Sequence, residues 1–378
     1  MSEIKVNSIK GVSASVAALS INNTDGTCTA NITNNLSNRN LIINGAMQVA
    51  ARSTSKNTTG ASSTYGTLDR WMVQIQAGTI TESQQDLATT DTPYTLGFRK
   101  YMRILNQSGI GAGAAQYAEI DQRIEAQNIA QSGWNYTSSS SYITLSFWVR
   151  ASVAQAYIAV IYSNDGTQRH YPFEIKDSGG STLSADTWTK ITKTISGDSG
   201  ITVNNDNGNG LTLSFIAAYG TNYTSNTGNL DAWNTTGSGL NRFPDMTTTW
   251  ATTTNATFDI TGVQLEVDHT GSGKPTDFEH RSFAQEIALC KRYFEKVMVT
   301  SFDSKTNNNH TGGASTTFAV EKRATPTCIR QSNFYEYNSG GQLTSHTATT
   351  YGFLATCSGG GNKAQQLLSS LFHCEAEL

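Results

Sequence analysis

The chain has 378 residues, a formal net charge of −3, 15% charged residues, 37% hydrophobic residues and 9% aromatics. That length accommodates two or three domains with a substantial core, and this many aromatics with so little charge exclude a disordered tail. The near-neutral charge argues against a nucleic-acid partner held by phosphate neutralisation, and the abundance of Thr, Ser, Asn and Gly is that of an extracellular β-protein with long loops.

Residues 1–39 read as a separate segment. Ile4, Val6 and Ile9 predict a short strand, residues 12–21 a second, and Asp25-Gly26 a turn. Few apolar anchors follow, so the segment cannot bury much of its own area and needs a partner; a flexible tail is the alternative reading. Residues 40–281 read as one large antiparallel β-sandwich. Strands are predicted at 41–49, 69–76, 98–105, 142–149, 156–162, 170–175, 187–195, 211–217 and 258–267, separated by turns such as Asn164-Asp165-Gly166 and Ser178-Gly179-Gly180. Residues 116–131 could hold a short helical turn. Long loops are expected at 51–68, 78–97 and 220–257, and long loops on a rigid sandwich are where binding surfaces lie.

In the last of these strands Phe258, Ile260, Val263, Leu265 and Val267 alternate with polar residues. Ser282 and Gln285 then stand at capping-box spacing, and Phe283, Ile287, Cys290, Phe294 and Val297 form one apolar stripe, which predicts a helix over 282–297 packed on sheet. Residues 282–378 read as this helix followed by a small β-domain, with strands at 317–322, 327–337 and 351–356 and loops at 307–309 and 359–361. No repeat of fixed period appears, which argues against a β-helix, solenoid or propeller. The five cysteines (Cys28, Cys290, Cys328, Cys357 and Cys374) are odd in number and scattered, which suggests reduced thiols in a protein made in a cytoplasm. Neither a membrane-spanning run nor a signal-peptide pattern is present, so membrane insertion is not expected.

The stretch from 260 to 296, ITGVQLEV followed by P.DFEHRSFAQEIALCKRYFEK, resembles a segment common in structural proteins of tailed bacteriophages, especially marine ones. NLIINGAMQV at 40–49 with Asp69-Arg70-Trp71, YITLSFWVR at 142–150, TFAVEKRATP at 317–326 and the final EAEL match the same family, and MSEIKVNSIKG resembles the start of fibre-like proteins in those viruses. The resemblance implies a virion protein with a carbohydrate-binding-like, jelly-roll-like sandwich, attached to other virion proteins through residues 1–39 as a homotrimer, and located on the tail or particle surface.

Nucleophile elbow, Walker loop, HExxH and dinucleotide fingerprint are all missing, which points away from an enzyme. Glu119, Asp121 and Glu125 are close in sequence, and a glycosidase needs paired carboxylates, but spacing alone decides nothing. Asp206, Asn207 and Asn209 in a Gly-rich turn could hold Ca²⁺, although a plain Asn/Gly turn uses the same residues. His280, between Glu279 and Arg281, reads as part of a capping and docking network. In the third long loop Tyr219, Tyr223, Trp233 and Trp250 could stack on a sugar whose hydroxyls Asn, Thr and Asp would bond; the alternative is that the two Trp pin the loop to the sandwich. Trp71, Trp148 and Trp188 read as core. The expected function is a tail fibre or fibre-like receptor-binding protein that recognises host-surface polysaccharide. A capsid decoration, head-fibre or baseplate protein without a receptor is the alternative, and a glycan hydrolase the third reading.

Overall fold

In the computed structural model the described residues are 38–225, 229–235, 242–269, 273–304, 312–337, 342–358 and 365–378, with 6–9, 12, 19–21, 24, 28–30 and 271. Three short strands, β1 (Ser8–Ile9), β2 (Leu19–Ile21) and β3 (Cys28–Ala30), pair antiparallel near the start. The sandwich follows as β4 (Ser55–Thr59), β5 (Ser62–Thr64), β6 (Met72–Ile75), β7 (Thr79–Asp86), α1 (Thr92–Thr95), β8 (Lys100–Asn106), β9 (Tyr117–Glu125), α2 (Ala126–Ala130), β10 (Tyr142–Ala151), β11 (Tyr157–Ser163), β12 (Arg169–Ile175), β13 (Thr189–Ser196), β14 (Asn209–Tyr219), β15 (Asn234–Thr235), α3 (Thr249–Thr252) and β16 (Ala256–Asp268). The last part comprises α4 (Phe283–Lys291), β17 (Phe294–Ser304), β18 (Gly312–Thr317), β19 (Thr327–Tyr337), β20 (Gln342–Ala348), β21 (Gly352–Ser358) and β22 (Gln365–Glu375).

The sandwich is mainly β, antiparallel and jelly-roll-like. One sheet has the order β13-β10-β16-β8-β7-β4 and the other β15-β12-β11-β14-β9-β6-β5, so the chain repeatedly crosses from sheet to sheet. Strand alternation explains why the two pack. Ile120 and Ile124 of β9, Leu213 and Phe215 of β14, and Phe147 and Val149 of β10 all point between the sheets, where they share one core with Trp71 and Phe258. The alternation of β16 slips by one residue between Ile260 and Val263, where Gly262 takes φ +61 and the register with β10 shifts, marking a bulge. Trp148 and Trp188 are buried too, but in a separate cluster with Tyr101.

Residues 41–49 are not the predicted strand. Asn44 and Met47 sit at φ +59 and +57, and the segment is tied to β16 through Leu41 N to Leu265 O (2.9 Å) and Val263 N to Gly45 O (3.0 Å). The predicted loops at 51–68 and 78–97 contain β4, β5, β7 and α1, because polar Ser/Thr/Gln strands carry little apolar alternation. The helix keeps its capping box at Ser282 and Gln285 but stops at Lys291; Phe294 and Val297 belong to β17. Residues 317–322 are not a strand, since β18 ends at Thr317, and β17, β20 and β22 were not foreseen. The Asp25-Gly26 turn and the loops at 307–309 and 359–361 lie outside the described residues. Cys328 and Cys374, expected as reduced thiols, face each other across β19 and β22 and form a disulfide, whereas Cys290 is a buried free thiol.

The last eighty residues form two three-stranded sheets, β17-β22-β19 and β18-β21-β20, around Val299, Phe318, Phe353 and Phe372. Charged contacts dock them to the sandwich. Arg292 forks onto Glu125 at 2.7 and 2.9 Å, and Tyr293 Oη donates to the same carboxylate at 2.6 Å. Burial alone would raise the Glu125 pKa, but these hydrogen bonds hold it below the ordinary carboxylate value. Glu377 pairs with Arg52 at 2.9 Å and with Arg70, and Arg323 donates to the carbonyls of Ala376 (2.7 Å) and Glu377 (2.6 Å).

Glu82 of β7 is fully buried, with the hydroxyls of Thr58 and Thr67 donating to its two oxygens at 3.1 Å each. Burial pushes its pKa from 4.5 to about 7, the two hydroxyls pulling against it. Between those values the folded state holds a proton that the unfolded chain has released, so this residue's contribution to stability is full at the acid end and is lost as pH rises. Glu82→Gln is expected to flatten the fall of the melting temperature across that window. An unchanged slope in thermal melts would remove Glu82 as its source.

Candidate functional site

The outer face of the seven-stranded sheet carries the candidate site. Because Ile120 and Ile124 of β9 point inwards, Tyr117, Glu119, Asp121 and Arg123 point outwards. Thr212 and Ser214 of β14, Tyr162 of β11 and Gln74 of β6 join them on the same face. Together with Tyr219 at the end of β14, and Tyr223 and Arg242 from the segment after it, they line an open cleft of about 370 Å³. Beneath that segment Ile158, Val160, Ile216 and Phe243 make a small apolar cluster, which anchors it to the sheet.

The floor is a buried polar network. Tyr219 Oη donates to Glu119 Oε2 at 2.6 Å, and Gln74 Nε2 donates to Glu119 Oε1 at 3.2 Å and to Asp121 Oδ2. Arg242 Nη1 donates to the hydroxyls of Tyr162 (3.2 Å) and Tyr219 (3.1 Å). Burial pushes the pKa of both carboxyls up, the charge on Asp121 adding to the rise at Glu119, while the Ser214 hydroxyl and Gln74 help Asp121 keep its charge. The rim is aromatic. Tyr117 and Tyr223 are half-buried and meet edge to face at 5.4 Å, with Tyr219 behind them at 6.0 and 5.3 Å. Such a rim offers π faces to an apolar surface, and the floor offers hydrogen-bonding groups.

Of the four aromatics singled out in the sequence, the structure brings Tyr219 and Tyr223 together and leaves the two Trp elsewhere. Trp250 is fully buried in the main core, so it cannot stack on a ligand. Trp233 is half-buried against Tyr171 at 5.5 Å and donates to Ser196 O at 2.7 Å, so it pins its loop to the sandwich. Asp206, Asn207 and Asn209, singled out in the sequence for a metal, are each hydrogen-bonded within the protein. Asp206 Oδ1 accepts from Gly208 N at 2.8 Å, Asn207 bonds the Arg323 carbonyl, and Asn209 bonds Thr212 at 3.0 Å, so the three side chains serve the turn and the docking of the last unit. Among the described residues no group of three or more His, Cys, Asp or Glu could hold a metal ion. Glu125, next in the carboxylate run, is engaged by Arg292 and Tyr293. His280 bonds the Leu96 carbonyl at 3.0 Å, and Glu279 accepts from Asn40 N at 2.8 Å, a docking network at the helix entrance. Tyr117, Tyr162, Gln74 and Arg242 were not foreseen as site residues. The alternation of QYAEIDQR held the signal for the first of them.

No protein-family model matches the sequence, and no curated protein matches it. Three solved structures show how distant the structural likenesses are. The enzymatically active domain of tailspike protein 4 of bacteriophage CBA120 is 10% identical at TM-score 0.28, over 61% of this chain and 21% of that one. A family 11 carbohydrate-binding module from Clostridium thermocellum, in complex with a mixed-linked tetrasaccharide, is 12% identical at TM-score 0.27, over 57% and 96%. Discoidin II from Dictyostelium discoideum is 11% identical at TM-score 0.19, over 72% and 81%. Likenesses this distant do not say what the chain binds or does.

Proposed function

We propose that this chain is a phage virion structural protein, a tail fibre or fibre-like receptor-binding protein, whose sandwich binds host-surface glycan without cleaving it. The observation that carries the binding reading is the cleft itself, where the half-buried Tyr117 and Tyr223 stand over a floor of Gln, Glu, Asp, Thr and Ser. A pyranose presents an apolar face and a ring of hydroxyls, which suit this division of labour. The virion reading rests on the motifs at 40–49, 142–150 and 260–296. In the first segment the described Val6, Ile9 and Val12 are exposed, which favours attachment to a virion partner or sister chains through residues 1–39. As a trimer, the particle would gain avidity from several weak sites.

Each rim tyrosine is expected to contribute about 1 kcal/mol by stacking, so Tyr117→Ala with Tyr223→Ala should weaken binding to host polysaccharide roughly 30-fold. Trp233→Ala should leave affinity unchanged in protein that remains folded. Affinity electrophoresis against extracted host polysaccharide reads both. Wild-type affinity in the tyrosine double variant would move the site off this face. The absence of new reducing ends after incubation, across pH, tests the non-catalytic reading. Labelling of intact particles tests location: density over the head instead of the tail would favour a decoration role.

A further inference from the structure

The two arginines of the cleft narrow the ligand class, taking the glycan reading above as the premise. Arg123 follows Asp121 on the outward face of β9, and the register of the sheet sets it in one row with Thr212 of β14 and Tyr162 of β11. Its Nη1 donates to the Leu378 carbonyl at 2.5 Å, while Nε and Nη2 bond nothing among the described residues, so that edge of the guanidinium is open. Arg242, held at the Tyr162 end of the row, repeats the arrangement. Its Nη1 donates to the hydroxyls of Tyr162 (3.2 Å) and Tyr219 (3.1 Å), Nη2 carries no hydrogen bond among the described residues, and Nε is buried without a partner. Elsewhere in this chain the same edge holds carboxylates. Arg103 Nε and Nη2 fork Asp259 at 2.8 Å each, and Arg292 forks Glu125 at 2.7 and 2.9 Å. The acids of the floor leave room for a further anion. Burial and the Asp121 charge push the Glu119 pKa up to about 8, so near neutral pH Glu119 is mostly protonated and two guanidiniums face one carboxylate.

We infer that the cleft takes an acidic glycan, with a sugar carboxylate seated on the Nε/Nη2 edge of Arg123 and Arg242 as the second cation. Arg123 is half-buried, so its fork is partly withdrawn from water, where a charge-assisted pair is worth more than on an open surface. Tyr117 and Arg123 stand near opposite ends of β9, about 20 Å apart along the strand. A chain of several sugars therefore reaches from the tyrosine rim to the arginine. The rim supplies stacking, and the two arginines select the charge.

The test is an array of neutral, uronate-bearing and sialylated oligosaccharides, probed with the whole protein and repeated at raised salt. Each uronate-bearing glycan is also presented after reduction of its carboxyls to alcohols. The expected result is a signal on carboxylate-bearing glycans at least about tenfold above the neutral and carboxyl-reduced ones, fading as salt rises. Arg123→Lys keeps the charge but loses the fork, so it should lose most of that preference. Arg242→Gln should weaken it too, and thermal melts establish that both variants are folded. Equal wild-type binding to native and carboxyl-reduced forms, or a signal strongest on neutral glycans, overturns this inference and leaves the glycan reading standing. An acid preference that survives Arg123→Lys and Arg242→Gln together does the same. Silence on every class, with no effect of Tyr117→Ala and Tyr223→Ala on cell adsorption, removes the glycan reading and this inference with it.

Discussion

Arg70→Met is expected to cost about 3–5 kcal/mol of stability, the range for breaking a buried ion pair by removing one partner. Arg70 is 1% exposed, pairs with Glu377, donates to the Arg123 carbonyl and stacks 3.5 Å over the Tyr293 ring. Met keeps much of the stem's packing and removes the charge, so the loss comes mainly from leaving the Glu377 carboxylate, 6% exposed, with Arg52 as its remaining cation. The backbone of Arg70 stands at φ +73, and Met keeps that strain, so it does not enter the difference. Adding Glu377→Leu should restore most of the loss, because a buried pair replaced by apolar groups of similar size is often neutral. Thermal or urea melts of the two single variants and the double variant close the cycle. Additive losses, with no rescue, would mean that Arg70 acts through packing alone. Because residues 375–378 also hold Arg123 at the edge of the cleft, the single variant should loosen that wall as well.

Asn44→Ala is expected to be nearly as severe, at about 3–4 kcal/mol. The Asn44 side chain is fully buried; Nδ2 donates to Val49 O at 2.8 Å and Asp69 O at 3.0 Å, and Oδ1 accepts from Val49 N at 2.9 Å. Each lost bond leaves a buried backbone group without that partner, at about 1 kcal/mol or more. Its φ of +59 adds to this, since Asn tolerates the left-handed region better than Ala. Asn44→Gly separates the two causes, because Gly accepts the backbone and still loses the bonds. If Gly is as stable as wild type, the hydrogen bonds are not what holds the segment. The turn matters beyond itself: the Asn44 carbonyl accepts from Trp71 Nε1 at 3.1 Å, so a core tryptophan is placed by it.

Residues 40–49 also show where a sequence reading stops. Their run of apolar residues has the composition of a strand, but the polar Asn40 and Asn44 satisfy backbone groups of β16 and of the 44–49 turn directly, which no periodicity reveals. The helix was foreseen from its cap but not its end. Phe294 and Val297 continue the stripe in sequence, yet pairing with β22 draws them into a strand, tertiary contacts overriding local pattern. Cys328 and Cys374 are 46 residues apart in sequence and become neighbours only through the register of β19 with β22.

By itself the sequence determined the mainly β, antiparallel character of the chain, the strands β6, β8, β10 to β14 and β16, the capped start of α4, and the presence of aromatics near the end of β14, whereas β9 lies where only a short helical turn was expected. These follow from alternation and capping, which act over a few residues. Only the tertiary structure decided which aromatics share a site. Tyr117 and Tyr223 stand about a hundred positions apart, and the pairing of β9 with β14 brings them within 5.4 Å, while Trp250 sinks into the core. Burial and cross-strand register depend on the whole sheet, so the chemistry of the cleft, including the shared amide of Gln74 and the engaged arginines, exists only once the sandwich has closed.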